Sequence, residues 1–348
     1  MRFHSCRSLF LGLVFLSPCL LTSHDAAADQ TEAATPKVQK TPFVTSRNRN
    51  DTNTPAKAFG DERSTLKAGI YSVVERDLSV LNSLTEEAPA YIKEELLKVQ
   101  EVQDRKVSDL LDLYARQAAD GSATLYVHGY NISFEKGCRR AAMLRENAGL
   151  TENYLWFSWP SDGVVTNYTR DEADLYWSVP DLADVIADLE RRLGGDNTNL
   201  VAHSLGARGL VLALYEMAFR KPDARFANVV LLAPDMDFGL FQRILPRIRP
   251  LTDRLTIYVT SGDIPLALSA QLHGYPRLGQ AGNDVASLSG VEVIDLSDLP
   301  DDSPTGHLYH IHSRVVGADL DALLNRGKAA QERKGLSQVG ENSWLLKQ

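Results

Sequence analysis

The sequence predicts an α/β fold with a mostly parallel, twisted sheet and helices on both faces. From residue 123 onward, short apolar runs typical of buried strands alternate with helical patterns along the 348-residue chain. Such alternation favours parallel strands joined by right-handed crossovers. Several polar residues also directly follow the strand runs. In this architecture ligands bind beyond the carboxyl ends of the strands, so these residues are the first to consider for function.

The first 28 residues have the pattern of a secretory signal peptide. Arg2 and Arg7 precede the apolar run LFLGLVFLSPCLL, and Ala26-Ala27-Ala28 offers a cleavage site of the A-x-A type. The run is short for a membrane span and is interrupted by a proline, so we expect no stable span in the mature chain. The sequence therefore predicts an exported protein, periplasmic or secreted. A lipid anchor on Cys19 is the alternative, although a preceding proline fits that signal poorly.

Composition excludes several classes of protein. The chain is 44% hydrophobic and 24% charged, as in globular domains. Its formal charge is −8 and it has no basic block, so we expect no nucleic-acid partner. Beyond the signal peptide only Cys138 remains, which excludes a disulfide within the mature chain.

The predicted domain boundaries follow composition. Residues 29–65 are polar and lack apolar periodicity, which predicts a linker or extended N-terminal arm containing FVTSR as a short strand. The globular domain is expected over residues 66–325. Within it, AGIYSVVERDL alternates as a strand does, and the apolar spacing of residues 86–118 predicts an amphipathic helix. Residues 326–348 form a charged C-terminal tail, and the sequence leaves open whether its Trp344 and Leu345 dock on the body.

The remaining elements follow the alternation. The predicted strands are ATLYVHGY, NYLWFSWP, TNLVAHS, ANVVLLAPD, LTIYVTSGD and VEVIDLS. The predicted helices include DLADVIADLERRL and LGARGLVLALYEMAF.

The stretch LVAHSLG places Ser204 in a strand-to-helix turn. A sharp turn of this kind exposes a serine nucleophile in α/β-hydrolases, although the usual first glycine is replaced by Ala202. The backbone N–H of Leu205, at the helix N-terminus, is placed to donate to an oxyanion. An alternative is that Ser204 merely caps the helix, since serine is a preferred N-cap.

His128-Gly129-Tyr130-Asn131 follows TLYV, an earlier strand of the same pattern. A loop in this position supplies the second oxyanion donor in α/β-hydrolases, here the Tyr130 N–H, and the glycine permits close approach of the substrate. The alternative is a glycine turn with a packed histidine.

Asp263 follows the strand LTIYVTSG and is the predicted acid of a triad. It also suits an N-cap of the following helix. Asp235, past the preceding strand, is the alternative acid, and Asp237 in the same stretch is a further competitor.

His307 is the predicted base because it lies in the loop after the last strand, giving the chain order Ser…Asp…His. His310 is the alternative, and we expect it and His312 to fall within the following helix. The side chain of His203 is expected to point away from the base. A metal site on the H-x-x-H-x-H spacing is less well supported, since no Cys or acidic pattern completes it. We therefore expect neither metal nor organic cofactor.

Taken together, residues 42–325 resemble the α/β-hydrolase family catalogued as domain of unknown function 900. The resemblance rests on LYVHGYNISFEKGCRRAA, LWFSWPSDG, YTRDEADLYWS, LVAHSLGARGL, LLAPDMDFGLF, YVTSGDIPLALSAQLHGYPRLG and GHLYHIHS, in that order. It implies an α/β-hydrolase fold with Ser204 as nucleophile, Asp263 as acid and His307 as base. It also implies an oxyanion loop at residues 128–131.

The predicted function is an exported serine hydrolase acting on a small-molecule or lipid-like carboxylic ester. Two alternatives remain. A thioesterase or acyltransferase would use the same triad, and a non-catalytic envelope protein would use the fold for binding alone. Tyr168, Asp171 and Asp174 are further candidates to line the pocket, with surface exposure or helix capping as the alternative.

Overall fold

The computed structural model describes residues 38–75, 90–118, 121–150, 153–300 and 305–348. Over these residues the chain forms a single mixed sheet in the order β10-β11-β9-β8-β7-β6-β4-β5-β1-β2-β3. The strands are β1 Val38–Arg49, β2 Phe59–Glu75, β3 Leu97–Arg105, β4 Ala123–Val127, β5 Tyr154–Ser158, β6 Thr198–His203, β7 Phe226–Leu232, β8 Thr252–Val259, β9 Val291–Asp295, β10 Leu336–Gln338 and β11 Ser343–Leu346. The neighbours from β11 to β1 all run parallel, whereas β10, β2 and β3 pair antiparallel.

Helices cover both faces of this sheet. They are α1 Ala90–Leu96, α2 Val107–Gln117, α3 Phe134–Asn147, α4 Tyr168–Leu193, α5 Leu205–Arg220, α6 Phe238–Ile248, α7 Ile264–His273, α8 Tyr309–His312 and α9 Arg314–Leu324. Helices α2, α4, α5 and α6 contribute to one buried core, and α3, α8 and α9 to the other. Successive strand residues point into opposite cores, as Leu200 and Val201 of β6 do. This is the predicted fold class.

The first strand, β1, contains the predicted short strand FVTSR and corrects the prediction of a linker or extended arm for the described residues 38–65. It lies between β5 and β2, and its FVTSR segment is fully buried. The Thr45 hydroxyl donates to the Ser158 carbonyl at 2.7 Å. The Arg47 guanidinium donates to three carbonyl oxygens and to the Ser158 hydroxyl. The segment has a polar composition yet belongs to the core because its polar groups find partners inside the fold.

The edge strand β3 corrects the single helix predicted over residues 86–118. Of that range, residues 90–118 are described, and they form α1, β3 and α2 in turn. The Lys, Gln and Glu residues of β3 favour a helix locally, but the segment pairs with the otherwise open edge of β2. Pairing across the sheet therefore overrides local propensity.

The C-terminal residues 326–348 are also part of the sheet and not a separate tail. Strand β11 pairs in parallel with β9, and Trp344 and Leu346 are buried. Arg333 joins Asp319 of α9, at 2.8 Å, to Glu292 of β9, at 3.0 Å. The predicted domain of residues 66–325 thus extends at both ends within the described chain.

The predicted signal peptide over residues 1–28, with Cys19, lies outside the described residues, as do residues 29–37. Within the described part of the chain, none of the helices has the length and apolar character needed to span a membrane.

Candidate active site

Ser204 occupies the turn between β6 and α5 in a left-handed backbone conformation, with φ 54° and ψ −122°. Such a conformation costs a non-glycine residue about 1–3 kcal/mol. The turn is held by two backbone bonds: the Ser204 N–H donates to the Leu232 carbonyl at 2.9 Å, and the Asp235 N–H donates to the Ser204 carbonyl at 3.1 Å. The Ser204 side chain makes no capping bond to α5, so its hydroxyl is not used as an N-cap.

The two small residues flanking Ser204 meet different surroundings. A Cβ on Gly206 would lie 2.1 Å from the His128 carbonyl oxygen, so this position requires glycine. Ala202 accommodates its methyl group within the buried core of the sheet. A Cβ on Gly129 would lie 3.0 Å from the Ser204 Cβ, which puts residues 128–131 directly against the elbow.

We expect Gly206→Ala to lower the free energy of unfolding by about 2 kcal/mol or more, because the main chain of residues 128–131 must move to admit the methyl group. Ala202→Gly is the matched control and should change it by about 1 kcal/mol or less. Urea unfolding of both variants measures the difference. Equal effects at the two positions would contradict this account of the turn.

Asp171 of α4 anchors the loop of residues 128–131. Its carboxylate accepts hydrogen bonds from the Asn131 N–H at 3.0 Å, the Ser161 hydroxyl at 2.5 Å and the Asp162 N–H at 3.0 Å. Burial raises the pKa of Asp171, and these hydrogen bonds oppose the shift. Asn131 has φ 60°, a conformation that asparagine tolerates. Asp171 thus holds the loop in place and does not cap the helix.

The His128 side chain lies beneath this loop and stacks on Trp159, with the ring centroids 4.9 Å apart. Burial, with the nearby Arg47 charge, lowers the pKa of His128 to about 3. Arg47 is itself buried, which lowers its pKa to about 10. Arg47 also donates to the carbonyls of Ile132 and Ser161, so β1 supports the loop from below. The sequence did not predict this role of Arg47, because the residue lies in a polar N-terminal segment without a recognisable motif.

Asp263 and His307 form a close pair. The Asp263 Oδ2 atom lies 2.6 Å from His307 Nδ1, and the carboxylate is almost completely buried. The other oxygen, Oδ1, accepts the Leu266 N–H at 2.8 Å, so Asp263 is also the N-cap of α7. The Ile264 N–H donates to the Thr305 carbonyl at 3.1 Å, which attaches the loop carrying His307 to the start of α7.

Asp235, the alternative acid, has other partners. Its carboxylate accepts the Tyr168 and Ser269 hydroxyls, both at 2.6 Å. It also lies 3.4 Å from Arg208 Nη2 and 3.2 Å from Arg277 Nε. Arg208 lies one helical turn after Ser204 in α5. No sequence motif predicted that it would be near the candidate site.

The remaining pocket candidates, Tyr168 and Asp174, have different surroundings. The Tyr168 ring packs against Tyr130, with centroids 5.2 Å apart. Asp174 instead pairs with Arg63 at 2.5 Å, away from the elbow.

The histidines near the site differ from the sequence expectation in one respect. The His203 side chain does not point away from the base, because its Nε2 atom lies 3.1 Å from the His307 carbonyl oxygen. His310, the alternative base, is buried in α8 with its ring centroid 4.2 Å from that of His203. Burial lowers the pKa of both His203 and His310 well below the ordinary value of a histidine.

His312, the last histidine of the H-x-x-H-x-H spacing, lies 3.8 Å from Glu94. No group of three or more His, Cys, Asp or Glu in the described ranges could hold a metal ion.

The strand order explains how these groups meet. Strands β4, β6, β7, β8 and β9 are neighbours and parallel, so their carboxyl ends lie along the same edge of the sheet. His128, Ser204 and Asp263 follow β4, β6 and β8, and His307 follows β9. A serine, a histidine and a carboxylate at one sheet edge form a set of residue types that suits acyl transfer.

Comparison with solved structures returns hydrolases that share little sequence with this chain. A CIB-like hydrolase from Thermoplasma acidophilum is 12% identical, covering 83% of this chain and 99% of its own, with a TM-score of 0.36. An esterase from Pyrobaculum calidifontis is 12% identical, covering 72% and 98%, with a TM-score of 0.35. The carboxylesterase EstE1, cloned from a metagenomic library, is 12% identical, covering 74% and 85%, with a TM-score of 0.36. No curated protein matches the chain.

Residues 105–325 match the family described as alpha/beta hydrolase of unknown function, DUF900. The match covers more than half of the chain and includes Ser204, Asp263 and His307. The chain therefore belongs to the DUF900 family of alpha/beta hydrolases.

Proposed function

We propose that the chain is an exported serine hydrolase that cleaves carboxylic esters through an acyl-enzyme on Ser204. The observation that carries the proposal is the contact of His307 with the buried Asp263 carboxylate, with 2.6 Å between Nδ1 and Oδ2, at the sheet edge where the elbow carries Ser204. A carboxylate bound to Nδ1 leaves the other ring nitrogen of His307 available to accept a proton.

The proposed reaction has two halves. His307 takes the Ser204 proton as the serine oxygen attacks the ester carbonyl, and Asp263 stabilises the imidazolium that forms. The backbone N–H groups of Leu205 and Tyr130 hold the oxyanion. His307 then gives its proton to the leaving alcohol. In the second half, His307 deprotonates a water molecule, which attacks the acyl-enzyme, releases the carboxylic acid and restores Ser204.

A lipid-like substrate is supported by the solvent face of α7, the helix that begins after Asp263. This face carries Ile264, Leu268 and Leu272 at four-residue spacing, followed by Tyr275, and each is more than half exposed. The helix has no residue with a permanent charge. An apolar surface next to the reacting groups favours esters with an extended acyl chain.

A fluorophosphonate probe tests the proposal without knowledge of the natural substrate. We expect the folded protein to be labelled once per chain, with the adduct on the peptide that contains Ser204. The heat-denatured protein is the control and should not react, because activation of the serine requires the folded triad. Mass spectrometry of the digested protein locates the adduct. An unlabelled folded protein would favour the alternative of a binding protein.

A screen of p-nitrophenyl esters of increasing acyl length, alongside matched thioesters, then tests the substrate class. We expect ester turnover to rise from acetyl to medium-chain acyl groups. Faster turnover of the thioesters, or transfer of the acyl group to an added alcohol in preference to water, would favour the thioesterase or acyltransferase alternatives.

A further inference from the structure

We infer that His203, the residue before the nucleophile, is a positioning residue that fixes the main chain of the base His307. The inference rests on the proposed function, since it assigns a role within the same site. It begins from the bond between His203 Nε2 and the His307 carbonyl oxygen, 3.1 Å apart. No expected triad role accounts for this contact.

The chemistry of this bond fixes its direction. A carbonyl oxygen only accepts, so the proton must lie on His203 Nε2. Burial, with His310, His307 and Arg140 nearby, lowers the pKa of His203 well below its ordinary value. His203 is therefore a neutral Nε2–H donor, with an unprotonated Nδ1 facing Gly129.

The bond completes a two-point attachment of the base. The His307 side chain is held by Asp263, at the end of β8. The His307 main chain is held by His203, the last residue of β6. Because His203 precedes Ser204 directly, the backbone of the base is joined to the strand that carries the nucleophile.

The surroundings of His203 keep this donor in place. Its side chain is almost completely buried, and its ring centroid lies 4.5 Å from that of His307 and 4.2 Å from that of His310. Packing on two sides restricts rotation of the imidazole. Among the described residues of the His307 loop, the Thr305 carbonyl accepts the Ile264 N–H and His307 Nδ1 contacts Asp263, and both of these partners lie at the start of α7. His203 thus supplies the attachment to the central strand of the site.

Two substitutions at His203 test the role. His203→Leu removes the donor but keeps an apolar side chain, and we expect kcat for p-nitrophenyl butyrate to fall about 10- to 100-fold, the effect of a small misplacement of a reacting group. KM should change less than about 2-fold, because the His203 side chain is buried and bonded to the main chain of His307. His203→Gln places an amide N–H at a similar distance from Cα and should restore kcat to within about 3-fold of the original protein. Fluorophosphonate labelling rates should follow the same order.

Asn147→Ala is the matched control. The Asn147 amide donates to the carbonyls of His310 and Ser313, both at 2.9 Å, so its removal deletes side-chain-to-backbone bonds next to the base loop but none at His307. We expect a lower melting temperature with kcat within about 2-fold.

Three results would overturn the inference while leaving the serine hydrolase intact. They are an unchanged kcat in a folded His203→Leu protein, a His203→Gln protein as slow as His203→Leu, or a change confined to KM. An original protein that neither turns over esters nor takes the probe would instead refute the proposed function, and this assignment with it.

Discussion

Replacing Ser204 with alanine is expected to lower kcat for p-nitrophenyl butyrate by about a million-fold, close to the loss seen when the nucleophile of a triad is removed. The reason is that Ser204 forms the acyl-enzyme in the proposed mechanism, so its removal takes away the nucleophile. The proposed donors, the backbone N–H groups of Leu205 and Tyr130, remain, so a small rate above the uncatalysed reaction should persist. Initial rates at high enzyme concentration, corrected for spontaneous hydrolysis, measure the loss.

Ser178→Ala is the matched control for this substitution. Ser178 is buried in α4, where its hydroxyl donates to the Asp174 carbonyl at 2.8 Å, away from the elbow. The Ser178→Ala protein should lose at most about 1–2 kcal/mol in the free energy of unfolding and should keep its kcat. A Ser204→Ala protein that retains more than about one per cent of kcat would rule out Ser204 as nucleophile.

Asp263→Asn is expected to lower kcat by about ten-thousand-fold without unfolding the protein. The amide cannot stabilise the imidazolium as a carboxylate does, and it permits the unproductive tautomer of His307. In the original protein the Leu266 N–H donates to the Asp263 side chain at 2.8 Å. Asparagine is as good an N-cap as aspartate, so this hydrogen bond should remain in the variant. The substitution therefore separates the two roles of Asp263. Steady-state kinetics and thermal unfolding measure them independently.

Asp235→Asn tests the alternative acid, and we expect it to affect stability more than turnover, the reverse of Asp263→Asn. Asp235 lies between Arg208 and Arg277, so removal of its charge takes a carboxylate partner away from both buried guanidinium groups, of which Arg208 keeps Glu172. We expect a loss of about 3 kcal/mol in the free energy of unfolding, with a fall in kcat of about 10-fold or less. If Asp235→Asn proved inactive and Asp263→Asn active, the proposed acid would be Asp235.

The residues of the candidate site could be predicted from the sequence because they follow apolar strand runs. In a parallel sheet the carboxyl ends of such runs meet at one edge, so the order of Ser204, Asp263 and His307 along the chain already implies their proximity. The elbow and the HGYN loop could also be recognised from the sequence, because each is a short motif directly after a strand. The roles of Arg47, Asp171 and Arg208 had no such pattern, because each depends on partners many residues away.

The sequence by itself determined the fold class, the parallel centre of the sheet and the residues at its strand ends, since buried strands and nucleophile turns depend on local apolar pattern and backbone shape. Only the tertiary structure decided that β1, β3 and β11 join the sheet, because strand pairing and internal hydrogen bonds can override a polar or helix-favouring composition. It also placed the His203 side chain against His307. That contact joins residues 104 positions apart along the chain, and no local spacing encodes it.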